Sequence, residues 1–304
     1  MSRLAKPVRL KRGPKLQFVN ELFDLQNRKA LVTGSSRGLG AATAVMLASH
    51  GVDVVVTYRN DEAGARSVAD QVLSHGREAM VVQVDLGEEA SVDALMDQIE
   101  TSWGALDIVV ANAAATTFRP LYKAERRHLE RTYAISVYGF HQLVTRALPM
   151  MMAQERGRIV AVSGADTGTW IPGHGLLAGA KAAMASMVRY LGCELGSKNI
   201  TTVGISPGWI DGDSIKQMLG PLHEFAMDLE RETHPMRLAA TPEQVAEAVV
   251  MLCTDAAALV NGNTIVADGA GVFAFCGRYS KIASQLAAAK IESLVGVEAP
   301  AIPE

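Results

Sequence analysis

Cysteine is scarce: Cys193, Cys253 and Cys276 are the only three, odd in number and far apart. That spacing excludes a disulfide framework and offers no paired redox or metal motif, as expected for thiols in a reducing cytoplasm. The seven histidines are scattered rather than paired at zinc spacing, so no metal is expected. No apolar run approaches the ~18 residues of a membrane helix, and the N-terminus lacks the apolar core of a secretory signal. Charge of one sign is missing too. Twenty-nine Lys and Arg against 32 Asp and Glu leave a net charge of -3, which gives no pull toward nucleic acid or an acidic membrane. These absences describe a cytoplasmic protein with neither nucleic acid nor membrane as partner.

What the chain does have is apolar content. Of 304 residues, 49% are hydrophobic and 20% charged, enough to bury a sizeable core. The informative stretch is Lys29-Ala-Leu-Val-Thr-Gly-Ser-Ser-Arg-Gly-Leu-Gly40. Ala30, Leu31 and Val32 read as a buried parallel strand. Gly34, Gly38 and Gly40 punctuate a turn, and Ala41, Val45 and Ala48 then recur at helical spacing up to Gly51, placed to close the helix in the left-handed region. A strand, a glycine turn and a helix N-terminus together form a cradle for a pyrophosphate.

From there strands and helices alternate. Strands are expected at 53–58, 79–84, 106–110, 158–162, 201–205 and 263–267. Helices are expected at 62–75, 88–103, 127–154 (one or two), 176–196 and 241–254, the last opening with the capping sequence Thr241-Pro-Glu-Gln244. About seven strands alternating with helices predict an α/β fold, a Rossmann-type doubly wound parallel sheet in a single domain. Residues 1–28 read as a basic arm, with six Lys and Arg and no acid in its first fifteen residues: either a solvated arm or a dock for an acidic partner such as a carrier protein. Residues 29–270 are the dinucleotide domain, with 209–235 as a mostly apolar lid that includes Trp209, Met218, Leu222, Phe225 and Met227. Residues 271–304 form a C-terminal extension.

After the second strand, where an NAD site usually carries a carboxylate, stands Arg59, and Arg37 lies inside the glycine turn. Two guanidinium groups suit a 2′-phosphate, so NADPH is favoured over NADH.

Thr33-Gly-Ser-Ser-Arg-Gly-Leu-Gly40 resembles the Thr-Gly-x-x-x-Gly-x-Gly signature of the short-chain dehydrogenase/reductase family. Asp85-Leu86, Asn112-Ala-Ala114, Pro207-Gly208 and Asp268-Gly269 fall where that family has an adenine-contacting Asp, an Asn-Asn-Ala-Gly motif, a nicotinamide-side turn and an Asp-Gly. The resemblance spans about 29–270. It implies an oxidoreductase, with Gly34, Ser36, Arg37, Gly38, Leu39 and Gly40 on the coenzyme phosphates and Arg59, Asp85 and Leu86 around its adenosine. Asn112, Ala113, Lys181, Pro207, Gly208 and Ile210 would lie toward the nicotinamide. It also implies a homodimer or homotetramer paired through helices 127–154 and 176–196.

The family's catalytic tetrad of Asn, Ser, Tyr and Lys is mostly absent. Lys181 matches the lysine. Leu177 stands at the tyrosine, Gly164 at the serine and Ser136 at the asparagine, while Ala111 replaces the first Asn of the Asn-Asn-Ala-Gly motif. Enoyl-acyl-carrier-protein reductases of this family space Tyr and Lys by six residues, and at that spacing stands His174. The 112–120 segment is similar to the third type of these enzymes. His174 is either a substitute proton donor or a solvated turn residue. Ser163 is a candidate for the lost hydroxyl, although a one-residue shift on a strand turns a side chain to the other face. Tyr133 and Tyr138 are expected to pack rather than to catalyse. Two readings follow. One is an NADPH-dependent reductase of an enoyl thioester or carbonyl substrate of fatty-acid or polyketide type, small or carrier-bound. The other is a non-redox protein on the same fold, either a binding subunit or a catalyst of cyclisation, elimination or proton transfer.

Overall fold

A computed structural model describes residues 23–274. The arm within 1–22 and the extension from 275 onward therefore lie outside the described residues. Seven parallel strands form one sheet: β1 (Lys29–Val32), β2 (Asp53–Tyr58), β3 (Ala79–Gln83), β4 (Ile108–Ala111), β5 (Gly157–Val162), β6 (Ile200–Pro207) and β7 (Thr264–Ala267). Their order is β3-β2-β1-β4-β5-β6-β7. The doubly wound single-domain fold expected above is the one observed.

The helices are α1 (Gly38–Ser49), α2 (Glu62–Ser74), α3 (Glu89–Trp103), α4 (Arg126–Tyr133), α5 (Gly139–Ala153), α6 (Gly175–Leu195), α7 (Asp213–Leu219), α8 (His223–Thr233) and α9 (Pro242–Cys253). Each central strand is apolar on both faces because helices cover both. Leu31, Val55, Val109 and Ile159 enter one core with α3, α5 and α6. Ala30, Val32, Val54, Val110 and Val160 enter the other with α1, α2 and α9. The period of two along each strand divides them.

Local chemistry sets the element ends. Thr241 caps α9 through a reciprocal pair with Gln244. Gly51, at φ +87°, turns the chain out of α1, as its position promised. The buried stripe of α1 differs from expectation: Gly40, Thr43, Ala44, Leu47 and Ala48 are buried, while Ala41 and Val45 are only partly covered. Apolar and small residues lie all round this helix, so sequence spacing alone does not choose its face. The long 127–154 helix is two helices joined by a π-helical turn, Ala134–Tyr138. Such a turn inserts an extra residue and re-aims the side chains it carries. The 209–235 segment is helical. Met227 and Leu229 of α8 are buried, whereas Phe225 is exposed; the Met218 side chain lies outside the described residues. Among the described residues no helix is long and apolar enough to cross a membrane, and no group of His, Cys, Asp and Glu is arranged to hold a metal ion.

Candidate active site

The carboxyl ends of β1 and β4 diverge where the strand order reverses, and ligands of open α/β sheets bind at that switch point. A cleft of about 800 Å³ opens there. One end is the glycine turn after β1, which hydrogen bonds hold in place. Thr57 Oγ1 accepts from Gly34 N (3.0 Å), Ser35 Oγ accepts from Thr57 N (2.9 Å), and Ser35 Oγ donates to Val32 O (2.7 Å). Gly34 and Gly38 take positive φ of +64° and +57°. A Cβ on Gly40 would lie 2.3 Å from Gly34 O, so only glycine lets α1 start this close to the turn. A Cβ on Gly38 would meet nothing within 4 Å and would project into space. Backbone amides and a helix N-terminus bordered by such space fit a coenzyme pyrophosphate.

The expected coenzyme residues gather along this cleft. Gly34, Ser36, Arg37, Gly38 and Leu39 line its first wall, and Gly40 supports them from beneath. Arg59, Asp85 and Leu86 line the end that would receive adenosine. Asn112, Ala113, Pro207, Gly208 and Ile210 line the rest. The Asn112 carboxamide is committed to the protein, its Nδ2 donating to Thr33 O (2.9 Å) and Gly34 O (3.2 Å). A Cβ on Gly208 would lie 2.9 Å from Asp268 Cβ, so the Pro-Gly turn and the Asp-Gly after β7 pack directly together. Arg131, which sequence reasoning passed over, donates from α4 to Asp85 Oδ2 at 2.8 Å. Burial alone would raise the Asp85 pKa; the Arg131 hydrogen bond and the Gly87 N–H outweigh it and hold the carboxyl below its usual value.

At the other end, His174, Leu177 and Lys181 share one side of α6 and its N-cap. Their offsets of three and seven residues match the helical period, so all three face the cleft. This explains how two Tyr-to-Lys spacings can serve one site. Lys181 is fully buried, and its Nζ donates to Val162 O. Burial pushes its pKa down from 10.5 to about 8, against the opposing pull of Asp166. Gly173, at φ +74°, turns the loop before α6, and its carbonyl accepts from Arg119 N (3.1 Å). The His174 ring stacks obliquely on Phe118, centroids 4.8 Å apart. His174 Nδ1 lies 3.4 Å from Asp166 Oδ2. His174 is thus a packed, partnered ring facing the cleft and not a solvated turn residue.

The remaining candidates separate. Ser163 lines the cleft despite its one-residue offset, because β5 ends at Val162 and the strand alternation no longer holds beyond it. Its buried Oγ has no hydrogen-bond partner among the described residues. Ser136 is buried in the π-turn, also without an Oγ partner, but the cleft is lined by Ile135 instead. Tyr133 packs its hydroxyl against Gly179 of α6, and Tyr138 is 65% exposed. Of the lid residues, Trp209, Ile210 and Ile215 line the cleft. Asp211 pairs with His223 (2.9 Å) and Arg231 (3.3 Å), tying α8 to the segment after β6; Asp213 is the first residue of α7, capped by Gly212. Asp166, like Arg131, is a residue that sequence reading missed. The available signal was an acid just beyond the strand that carries the family serine.

A doubly wound sheet with a glycine cradle at its switch point and a buried lysine across the cleft defines a nicotinamide-coenzyme oxidoreductase fold. A family model described as enoyl-(acyl carrier protein) reductase matches residues 34–271. The chain is 32% identical over 256 residues to versicolorin reductase stcU of Emericella nidulans, covering 81% of this chain and 96% of that one. It is 32% identical over 240 residues to 1-cyclohexenylcarbonyl-CoA reductase of Streptomyces collinus, covering 79% and 85%. The 3-oxoacyl (acyl-carrier-protein) reductase of Agrobacterium tumefaciens C58, solved with NADP bound, superposes with a TM-score of 0.76 at 27% identity, covering 82% and 95%. The chain belongs to the short-chain dehydrogenase/reductase family of oxidoreductases.

Proposed function

We propose that this chain is an NADPH-dependent reductase of an enoyl thioester or carbonyl substrate of fatty-acid or polyketide type, free or carried on an acyl carrier. The observation that carries this reading is a single cleft joining the glycine cradle to His174, Leu177 and Lys181 on one helix side. Reduction needs one hydride, which NADPH supplies when bound, and one proton. The buried Lys181 would hold the nicotinamide ribose, while Arg37 and Arg59 would meet the 2′-phosphate. His174 would deliver the proton in place of the absent phenol, its ring held by Asp166 on one side and Phe118 on the other. Ser163, buried without an Oγ partner at the cleft wall, would offer a hydroxyl in this role, whereas Ser136 does not line the cleft and would not. Residues 29–270 would form the reductase body and 209–235 its lid, working in the cytoplasm as a homodimer or homotetramer.

Leu177 and Gly164, in place of phenol and hydroxyl, favour a second reading: proton transfer, cyclisation or elimination without redox, served by the same Asp166–His174 pair. One assay separates the two. With a panel of enoyl thioesters and cyclic ketones, nicotinamide absorbance should fall. His174→Ala should slow that fall at least ~100-fold while coenzyme binding stays intact, the range expected for a lost general acid. Coenzyme binding without turnover across the panel would select the second reading.

A further inference from the structure

Gly164 stands where the family carries serine, and the structure reveals what fills that space. A Cβ on Gly164 would lie 2.6 Å from Asp166 Oδ1 and 3.4 Å from Asp166 Cγ. No real Cβ sits so near an oxygen, so a side chain at 164 would require the Asp166 carboxylate to turn away from its present position. Asp166 is only 9% exposed. Its Oδ2 faces His174 Nδ1 at 3.4 Å, whereas its Oδ1 is buried with no hydrogen-bond partner among the described residues. A buried acceptor left unpaired is costly, and its residue lines the cleft, so a ligand pressed against Asp166 would relieve that cost by pairing it.

The exchange of groups changes the chemistry. A serine hydroxyl both donates and accepts, and so can hold a carbonyl oxygen; an ionised carboxylate only accepts. Whatever sits against Oδ1 must therefore bring its own proton. The cleft lining includes Phe118, Ile171, Leu177 and Trp209, which are apolar or aromatic, beside the polar Ser163, His174 and Lys181.

We propose that Asp166 has taken the serine's place with the opposite hydrogen-bonding sense, so that the cleft selects a flat, largely apolar substrate presenting a hydroxyl of phenol or enol type. Asp166 is thus a specificity-determining residue that also positions His174. The inference rests on the proposed reductase only for where the substrate lies, not for its turnover.

The test is calorimetric binding of a dihydroxynaphthalene and of its dimethyl ether to the full chain saturated with NADP. The unaltered protein should prefer the phenol by about tenfold or more, the scale of a hydrogen bond to a charged group. In Asp166→Asn the preference should fall several-fold, chiefly through weaker phenol binding. Gly164→Ala, whose Cβ would push the carboxylate aside without bringing an acceptor, should reduce it too, and keeps the test decisive if the asparagine variant folds poorly. A purely structural Asp166 would weaken both ligands alike. Equal affinity for phenol and ether in the unaltered protein, or an undiminished preference in both variants, overturns the proposal. A phenol preference without any turnover would instead sink the reductase reading alone.

Discussion

Lys181→Ala should lower NADPH-dependent turnover by about a thousandfold, within the range for losing a buried catalytic charge. The lysine is the one tetrad member retained, and it is fully buried between Val162 and the cleft. Burial depresses its pKa from 10.5 to about 8. The folded value lies below the unfolded one, so between about pH 8 and 10.5 the unfolded chain binds more protons and stability rises with pH. Below pH 8 the cost of burying the ammonium is fully present, and a shift of this size corresponds to roughly 3 kcal/mol. Lys181→Met keeps the apolar stem and removes the charge. Denaturant unfolding across pH 7 to 10.5 should show a lysine-dependent rise in the unaltered protein that Lys181→Met lacks. Coenzyme affinity of the unaltered protein should weaken over the same interval as the ammonium is lost.

Gly40→Ala should cut coenzyme affinity by about 100-fold or more. The added Cβ would stand 2.3 Å from Gly34 O and 2.7 Å from Asn112 Nδ2. Both atoms belong to the hydrogen-bonded cradle, so neither can yield without moving the turn. A displacement of a few tenths of an ångström to an ångström degrades several amide contacts to a phosphate at once. Titration of nicotinamide fluorescence checks this, with Gly38→Ala as comparison: its Cβ meets no protein atom, so its penalty comes from the φ of +57° and from crowding the ligand.

Much of the architecture was legible because it is written in local patterns. Apolar strands buried on both faces, glycine punctuation and the Thr241 cap each act within a few residues. The face of α1 was not legible, since a helix with apolar residues all round does not announce which stripe is buried. Nor was the π-turn at Ala134–Tyr138, which packs on α6, a segment much further along the chain that begins only at Gly175. In the site, the helical offsets of His174, Leu177 and Lys181 were readable from numbering alone. The Arg131–Asp85 pair joins residues far apart in sequence. The close approach of Gly164 and Asp166 joins residues two apart, yet it depends on a side-chain direction that only the fold reveals. What looked like a lost serine is a carboxylate standing in its space.

The central claim is that the cleft holds a phosphorylated nicotinamide coenzyme between the paired arginines and Lys181. Isothermal titration of the full chain with NADPH and with NADH measures it directly. The account predicts saturable binding of NADPH, at least ~10-fold tighter than NADH, with the difference abolished in the double variant Arg37→Ala/Arg59→Ala. Absence of binding heat with both coenzymes, together with unchanged nicotinamide fluorescence, or a preference for NADH, would contradict it.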